Sequence, residues 1–450
     1  MILKKNQILK IATILPYKEN YSIDKASAAS LWVAEFYKKS KFKKTNFIYG
    51  HTRSKNFLTN NYININLKNI NSKLKSTTNE YAEKLIKELN NKKFSIVEIH
   101  NRPQLLSKII NRVKTRFIFY FHNDPISMKG SKTTKERLNI LKSVEKLIFV
   151  SDWVRERFFE DIDQKLKTKT EVVYPSVNKQ RIVSKQKNII FVGRLNHSKG
   201  YDLFKNAIIR ILDEFPKWKA YSIGNEDRRS IYINHPRHKE LGFIKHKETL
   251  KLLNKSEIAV VPSRWEEPFG RTALEASSRG CATIISNTGG LPETTDYAIK
   301  LKKLDTKNIE NEIIKLIRND KLRKRIQIKS KNFVKHKLKK NSQKIDLMRN
   351  SLFPFKKINI NGNKLRIINI YNLAQKLNHR IYNLSLGKKF TNGFIRNGHD
   401  VIEISDRDYV RQNKGINLLG FRNKFRNYLI ETFKNYNPDL VIFGHSDNIN

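Results

Sequence analysis

The chain has 450 residues, 39% of them hydrophobic and 10% aromatic, so it is long enough for two or three domains and too apolar to be disordered. Its 90 Lys and Arg residues outnumber 41 Asp and Glu residues, and the formal net charge of +49 would ordinarily indicate a nucleic acid or an anionic membrane surface as partner. Because lysine is spread through every segment, we interpret the charge as a compositional bias and expect no nucleic-acid partner.

The single cysteine, Cys281, excludes an intrachain disulfide and is typical of a buried structural thiol. A short apolar run at residues 8–15 suits a first strand better than a secretion signal. No apolar run approaches the length that crosses a bilayer. We therefore expect a cytoplasmic protein, at most peripheral at the inner face of the cell membrane.

Short apolar runs alternate with helical patterns over the first 180 residues. The predicted strands are residues 8–15, 46–49, 95–99, 117–121, 147–150 and 172–175, and the predicted helices are residues 26–39, 81–89, 105–113 and 135–141. This alternation indicates a parallel sheet with helices on both faces, and ligands bind such sheets beyond the carboxyl ends of the strands. His100 and His122 both lie at such ends, and we interpret His100 as a loop residue with a satisfied hydrogen bond. Ser151 is a predicted helix N-cap.

A second series of elements follows a linker at residues 176–187. Its predicted strands are residues 188–192, 221–225 and 258–261, its predicted helices are residues 308–318 and 322–332, and a last helical stretch to about residue 350 is expected to pack back across the first domain. The first of these strands runs into Gly193 and Arg194, and Lys199 opens the next helix. A glycine turn, two cations and a helix start form an anion-binding arrangement, although an ordinary basic turn remains the alternative.

The last of these strands stops at Pro262, and an acidic loop leads into a helix that starts near Gly270. The free N–H groups of Gly270, Arg271 and Thr272 would form a site for an anion, above all a phosphate. Glu267 precedes the helix and Glu275 lies one turn inside it, and a carboxylate can accept from two vicinal hydroxyls. The combination favours a nucleotide sugar as ligand. The alternative is that these glutamates only complement the helix dipole.

Glu267 and Glu275, separated by seven residues and followed by Gly289, Gly290 and Glu293, resemble the E-x7-E signature of retaining glycosyltransferases of group 1. The run Gly-Arg-Leu-x-x-x-Lys-Gly at residues 193–200 is similar to that family's donor-diphosphate motif. The resemblance implies an α/β GT-B fold, with two Rossmann-like domains facing a cleft. We expect an acceptor-side domain at residues 1–180 and a nucleotide-sugar domain at residues 181–350.

The resemblance also implies a role for each site residue. Arg194 and Lys199 would neutralise the donor diphosphate, Glu275 would hold the ribose, Glu267 would hold the transferred sugar, and His122 would reach that sugar from the first domain. The implied catalytic residues are His122, Arg194, Lys199 and Glu267, and the implied donor-binding residues are Gly193, Arg194, Lys199, Phe269, Gly270, Arg271, Thr272 and Glu275. A segment at residues 241–243 resembles the one that passes the nucleotide base.

The implied donor is UDP- or GDP-linked, with no metal ion and no further cofactor. The implied acceptor is a saccharide or a lipid-linked saccharide, as in the synthesis of surface polysaccharide or lipopolysaccharide, beside an anionic membrane surface. One departure concerns residues 17–30, which lack the family's glycine pair and leave Ser22 and Lys25 as weak candidates. A non-catalytic sugar-nucleotide-binding subunit, a basic nucleic-acid-binding protein and a nucleotide-sugar epimerase are the alternatives.

From residue 363 a new series begins. We predict strands at residues 365–370, 398–402 and 439–445, the last ending in His445, and helices at residues 384–397 and 425–436. Residues 363–450 resemble the first half of another Rossmann-like domain, such as that of a second glycosyltransferase, and contain an Asp-x-Asp pair, Asp406 and Asp408, outside the transferase region. Roughly 85 residues are few for a complete unit, so we expect a partial domain in a truncated or longer natural chain.

Overall fold

The computed structural model describes residues 9–67, 76–177, 183–226, 231–332, 334–353, 364–373, 385–413 and 418–444. One compact unit is Leu9–Leu352, and the residues from Phe353 onward belong to another. Within the described residues the strands form three sheets, and all their strand pairs are parallel. This is the α/β architecture that the alternation of strands and helices predicts.

The first sheet and its helices occupy the amino-terminal part of the first unit. The strands are β1 (Ile11–Ile14), β2 (Asn46–Gly50), β3 (Tyr62–Asn64), β4 (Ile96–His100), β5 (Arg116–Phe121), β6 (Lys146–Phe149) and β7 (Thr170–Val172). The helices are α1 (Ala28–Lys39), α2 (Thr77–Lys92), α3 (Pro103–Ile109), α4 (Thr134–Ser143) and α5 (Asp152–Phe158), with 3-10 helices at Pro125–Ser127 and Gln164–Lys169. The strand order is β3-β2-β1-β4-β5-β6-β7.

The central strands of this sheet are buried on both faces. Every residue of β1 and of β4 is buried, because helices cover both sides of a parallel sheet. Two polar side chains of β4, Glu98 and His100, share that buried position, and each is 1% exposed. Buried polar groups of this kind need partners inside the protein.

The second sheet belongs to the same compact unit. Its strands are β8 (Gln186–Val192), β9 (Lys219–Ile223), β10 (His238–Glu240), β11 (Ser256–Val261), β12 (Ala282–Ser286) and β13 (Ile299–Leu301), in the order β10-β9-β8-β11-β12-β13. Its helices are α6 (Tyr201–Glu214), α7 (His246–Lys255), α8 (Arg271–Ser278), α9 (Thr306–Arg318) and α10 (Asp320–Asn332), with 3-10 helices at His197–Lys199 and Leu291–Glu293. Cys281, between α8 and β12, is a buried free thiol, as predicted.

Helix α11 (Leu338–Ser351) follows the second sheet but packs against α1 of the first. Arg349 near its end donates from Nε and Nη2 to the two carboxylate oxygens of Glu98 in β4, each at 2.7 Å. One turn earlier, Asp346 accepts a 2.7 Å hydrogen bond from the hydroxyl of Ser40, just after α1. The expectation that the last helical stretch packs back across the first domain is therefore confirmed.

The second compact unit contains a smaller sheet. Its strands are β14 (Arg366–Tyr371), β15 (Asp400–Ser405) and β16 (Leu440–Phe443), in the order β15-β14-β16, and its helices are α12 (Leu386–Arg396), α13 (Asp406–Gln412) and α14 (Leu418–Tyr436). The predicted strand at residues 439–445 is present as β16, although His445 lies outside the described residues. Asp406 and Asp408 lie in the first turn of α13, where both are buried.

Among the described residues, every helix falls short of the combined length and hydropathy that spanning a bilayer would need.

Candidate active site

A cleft of about 360 Å³ lies between the two sheets of the first compact unit, beyond the carboxyl ends of β4, β5, β8 and β11. This is where parallel sheets usually bind their ligands. From the first sheet its lining includes Glu19, Ala28, Ala29, Trp32, Asn101, His122 and Asn123. From the second sheet it includes Gly193, Lys199, Trp265, Glu267, Phe269, Gly270, Arg271 and Thr272.

Lys199 and Glu267 face each other in this cleft. Lys199 ends a 3-10 helix after β8, and its Nζ lies 2.5 Å from Glu267 Oε1. The same ammonium lies 4.0 Å from the ring centroid of Trp265, a cation–π contact. Burial lowers the pKa of Lys199, while the neighbouring Glu267 carboxylate acts in the opposite direction. Lys199, predicted for the donor diphosphate, and Glu267, predicted for the transferred sugar, are therefore adjacent.

Glycines hold the backbone around this pair in close contact. Gly200 has φ 71°, and a Cβ there would lie 1.9 Å from the carbonyl oxygen of Pro262, so a side chain would separate Lys199 from β11. Gly289 has φ 59°, and a Cβ there would lie 2.6 Å from the carbonyl oxygen of Glu267. Gly289 therefore lets the loop after β12 pack directly against the loop that carries Glu267.

The start of α8 presents unpaired backbone donors to the cleft. Gly270 caps the helix in a left-handed conformation with φ 97°. The backbone N–H groups of Gly270, Arg271 and Thr272 form no hydrogen bond with any residue that the structure describes, and all three residues line the cleft. The geometry is the one that the sequence predicts for an anion site, because a helix start presents N–H groups and the positive end of the helix dipole. Binding of an anion there stays a prediction.

Glu275 lies deeper, 5% exposed, and does not belong to the cleft lining. Its Oε1 accepts from Arg271 Nε at 2.6 Å and from His246 Nε2 at 2.8 Å. Burial raises the pKa of Glu275, but Arg271 and His246 outweigh it and bring the pKa to about 2, so the carboxylate is ionised. Both hydrogen bonds reach the same oxygen, and Oε2 accepts none from the described residues.

The guanidinium of Arg271 joins the two halves of the cleft. Besides Glu275 it contacts Glu35 of α1, with Nη2 donating to Oε1 at 2.6 Å. The sequence predicts Arg271 only as a donor-binding residue, and it gives no signal for Glu35, which lies 236 positions away. The backbone of Arg271 thus faces the cleft while its side chain forms an ion pair across it.

Arg194 stands apart from the other predicted residues. Its side chain is exposed, it does not belong to the cleft lining, and it forms no hydrogen bond or ion pair within the described ranges. Its charge nevertheless contributes to lowering the pKa of Lys199. The motif at residues 193–200 therefore places one of its two cations in the cleft and leaves the other extended into solvent.

His122 and His100 form a hydrogen-bonded pair, with His122 Nε2 2.8 Å from His100 Nδ1. His100 Nε2 is buried and has no partner among the described residues. We assign the shared proton to His100 Nδ1, because an unfilled acceptor at Nε2 costs less than an unfilled N–H donor. His122 then carries its proton on Nδ1, and burial lowers its pKa to about 3, so it is neutral near neutral pH. The interpretation of His100 as a loop residue is wrong, because it is a buried residue at the end of β4. The hydrogen bond expected for its ring is present at Nδ1 and absent at Nε2 among the described residues.

Two further contacts hold the walls together. Ser151 caps α5 by accepting from Val154 N at 3.0 Å, as predicted, and its hydroxyl donates to the carbonyl of Pro268 at 2.5 Å. Glu293, which belongs to the signature after Glu275, accepts from the backbone N–H groups of Asp152 and Trp153 at 2.8 Å each. Glu293, which follows strand β12 of the second sheet, therefore caps helix α5, which packs with the first sheet.

The loop at residues 17–30 contributes Glu19, Ala28 and Ala29 to the cleft. Ser22 is fully buried, and its hydroxyl accepts from the backbone N–H of Lys25 at 3.2 Å. Neither of these two candidates lines the cleft. Within the described residues, no group of three or more His, Cys, Asp or Glu side chains has the arrangement of a metal site.

Comparison with known proteins finds a family match for the part of the chain that contains the second sheet. Residues 175–333 match the family described as Glycosyl transferases group 1. The match spans the motif at residues 193–200 together with Glu267 and Glu275. The resemblance to group 1 glycosyltransferases is therefore confirmed for this part of the chain, while the assignment of the two glutamates to an E-x7-E signature stays a prediction. The retaining mechanism stays a prediction.

Relatives and solved structures agree with this family. Spore coat protein SA of Bacillus subtilis (strain 168) is 26% identical over 250 residues, which are 48% of this chain and 66% of that protein. The alignment thus spans just under two thirds of that relative's length. HepE of Anabaena, solved in complex with UDP, has a TM-score of 0.61 at 14% identity and covers 76% of this chain and 100% of its own.

A sucrose-phosphate synthase from Thermosynechococcus elongatus has a TM-score of 0.63 at 15% identity, over 76% of this chain and 99% of its own. At such identities the likeness concerns the fold. The predicted α/β GT-B fold is confirmed.

Proposed function

We propose that this protein is a retaining glycosyltransferase that moves a sugar from a UDP- or GDP-linked donor to a saccharide or lipid-linked acceptor. The observation that carries the proposal is the cleft in which Lys199 and Glu267 lie beside the free N–H groups that begin α8. A cation and a helix start suit a diphosphate, and a carboxylate suits sugar hydroxyls. The family match and the UDP complex of HepE support the same ligand class.

The donor diphosphate binds between Lys199 and the start of α8. A Cβ at Gly193 would lie no closer than 3.7 Å to the nearest surrounding side chain, so the fold alone does not require glycine there. A donor that passes close to the backbone at this position would require it. Arg194 is exposed and can reach the diphosphate from solvent. Glu275 Oε2, which accepts no hydrogen bond from the described residues, accepts from the ribose hydroxyls.

During transfer, the bond between the donor's anomeric carbon and the diphosphate oxygen breaks as an acceptor hydroxyl oxygen bonds to that carbon. The hydroxyl proton leaves with the departing diphosphate. Lys199 and the α8 N–H groups stabilise the charge that grows on the diphosphate, in the role that a metal ion has in other enzymes. Glu267 holds hydroxyls of the transferred sugar, and His122 Nδ1–H donates to it from the opposite wall.

We place this activity in surface polysaccharide or lipopolysaccharide synthesis, at the inner face of the cell membrane. The net charge of +49 supports this location, because a basic protein is attracted to an anionic lipid surface.

A donor panel tests the proposal. One UDP- or GDP-sugar should raise the melting temperature of the full chain, and mass analysis should find its sugar on a saccharide or lipid-linked acceptor, with the rate unchanged by EDTA. A rate that depends on added metal would contradict the proposed role of Lys199. Donor binding without transfer to any acceptor would instead indicate a non-catalytic sugar-nucleotide-binding subunit.

Glu275→Gln tests the ribose contact. Loss of a charged acceptor should raise the Kd of UDP about tenfold and leave the Kd of pyrophosphate, which has no ribose, unchanged. Titration calorimetry measures both, and Glu312→Gln on the surface of α9 is the matched control. Equal weakening of both ligands would show that Glu275 acts only by holding Arg271 and α8 in place.

A further inference from the structure

A second pocket adjoins the loop that lacks the family's glycine pair. This Tyr17 pocket has a volume of about 460 Å³ and is lined by Tyr17, Lys18, Asn20, His51 and Arg53, with Thr77 at the start of α2. Its size lies within the usual range for small-molecule sites. Glu19, between Lys18 and Asn20 in the sequence, lines the cleft instead. The same loop therefore contributes to both the Tyr17 pocket and the cleft.

The Tyr17 pocket is positively charged. Lys18 and Arg53 are exposed, and neither forms an ion pair within the described part of the chain. Arg102 adds a third cation, because its Cζ lies 5.1 Å from the ring centroid of Tyr17. Lys18 Nζ lies 5.9 Å from the same ring centroid. No acidic side chain occurs among the described lining residues. Unpaired cations around one concave surface favour an anionic ligand.

Two lining residues also carry unused hydrogen-bond acceptors. His51 Nδ1 lies 2.9 Å from the carbonyl oxygen of Ile65, which can only accept, so Nδ1 bears the proton and Nε2 is an acceptor. His51 Nε2 and Asn20 Oδ1 are both buried, and neither has a hydrogen-bond partner among the described residues. Buried acceptors of this kind are normally satisfied, and hydroxyl donors of a ligand would satisfy them.

We propose that the Tyr17 pocket binds the acceptor substrate, and that the acceptor is a sugar with a negatively charged group, a phosphate or a carboxylate. The inference rests on the proposed transferase function. Lys18 and Arg53 hold the anionic group, while Asn20 and His51 accept from hydroxyls of the same sugar. Another hydroxyl extends past Glu19 into the cleft, where its oxygen bonds to the donor's anomeric carbon as the bond to the diphosphate breaks and the proton leaves with the diphosphate.

The test compares ligands that share parts of this chemistry. Titration calorimetry on the full chain uses glucose 6-phosphate, glucuronate, neutral glucose and inorganic phosphate, each alone and with UDP present. The variant Lys18→Met with Arg53→Met removes the cations of the Tyr17 pocket. The variant Lys87→Met with Arg325→Met removes the same residue types from exposed positions outside its lining and serves as the matched control.

We expect at least one anionic sugar to bind more tightly than glucose, and its Kd to rise about tenfold or more in the pocket variant but not in the control. The Kd of UDP should not change in either variant. His51→Phe should weaken the anionic sugar and leave inorganic phosphate unaffected, since phosphate alone needs no hydroxyl acceptor. The relative affinities of glucose 6-phosphate and glucuronate show whether the natural group is a phosphate or a carboxylate.

Equal binding of neutral and anionic sugars, or unchanged binding of the anionic sugar in the pocket variant, would overturn the inference. Such a result would leave the proposed function standing wherever UDP still binds and Glu275→Gln still weakens it. Failure of both UDP and GDP to bind the unmodified chain would instead overturn the proposed function. Melting temperatures of all variants separate loss of the Tyr17 pocket from loss of the fold.

Discussion

Burial and two charged neighbours shift the pKa of Lys199 in opposing directions. Burial lowers the pKa of Lys199 below its ordinary value of 10.5, Glu267 acts to raise it, and Arg194 acts to lower it further. The net direction is downward. The positive charge on which the proposed diphosphate contact depends is therefore present at low pH and lost as the pH rises through this lowered pKa.

Substitution of Lys199 by arginine should reveal this in the pH profile. We expect kcat/KM of the unmodified protein to fall on the alkaline side at a pH below 10.5, because kcat/KM reports groups of the free enzyme. In Lys199→Arg that alkaline fall should disappear, since arginine stays protonated. The rate itself should drop, because the planar guanidinium does not match the space that the lysine ammonium occupies. Lys217→Arg, exposed on the same domain, should keep the profile of the unmodified protein. An alkaline fall that persists in Lys199→Arg would assign it to another group.

At the scale of single elements, one buried ion pair is among the contacts that attach α11 to the first sheet. Arg349 and Glu98 have side chains that are 7% and 1% exposed, and both oxygens of the carboxylate accept from the guanidinium. Removal of one partner from such a pair leaves a buried charge without compensation.

Arg349→Met should therefore lower the free energy of unfolding by about 3–5 kcal/mol, as measured by urea denaturation. The matched control is Arg318→Met, whose exposed pair with Glu214 lies at 2.6 Å with side chains 67% and 45% exposed. That pair should contribute less than about 1 kcal/mol, because solvent screens it. Similar losses in the two variants would show that burial of Arg349 adds nothing to its ion pair.

Prediction of elements from sequence worked best where strands are buried on both faces. Strands β1, β4, β5 and β8 were found because continuous apolar runs are typical of central parallel strands. Strands β3, β10 and β13 were missed, since each has three residues and too little sequence for a periodic signal. Strand β12 is also absent from the predicted elements, although it has five residues and all of them are buried. Helix α7 was missed as well, although its residue His246 contacts Glu275.

At the scale of the whole molecule, the net charge of +49 should act through weak, distributed attraction. We expect the full chain to sediment with vesicles that contain phosphatidylglycerol at about 0.05 M salt and to be released at about 0.5 M, because salt screens surface charge. Vesicles of phosphatidylcholine alone are the control. Retention at high salt, or equal binding to both kinds of vesicle, would point to apolar insertion and contradict an electrostatic origin.

The sequence by itself determined the parallel α/β pattern and the second-sheet side of the cleft. Both are local: apolar runs mark the strands, and Lys199, Glu267 and the start of α8 follow strand ends within short motifs. Only the tertiary structure decided the partners across the cleft. Arg271 meets Glu35 at a separation of 236 positions, and Glu293 caps α5 from 141 positions away. Such contacts depend on how two sheets pack together, and a single sequence carries no periodic or spacing signal for them.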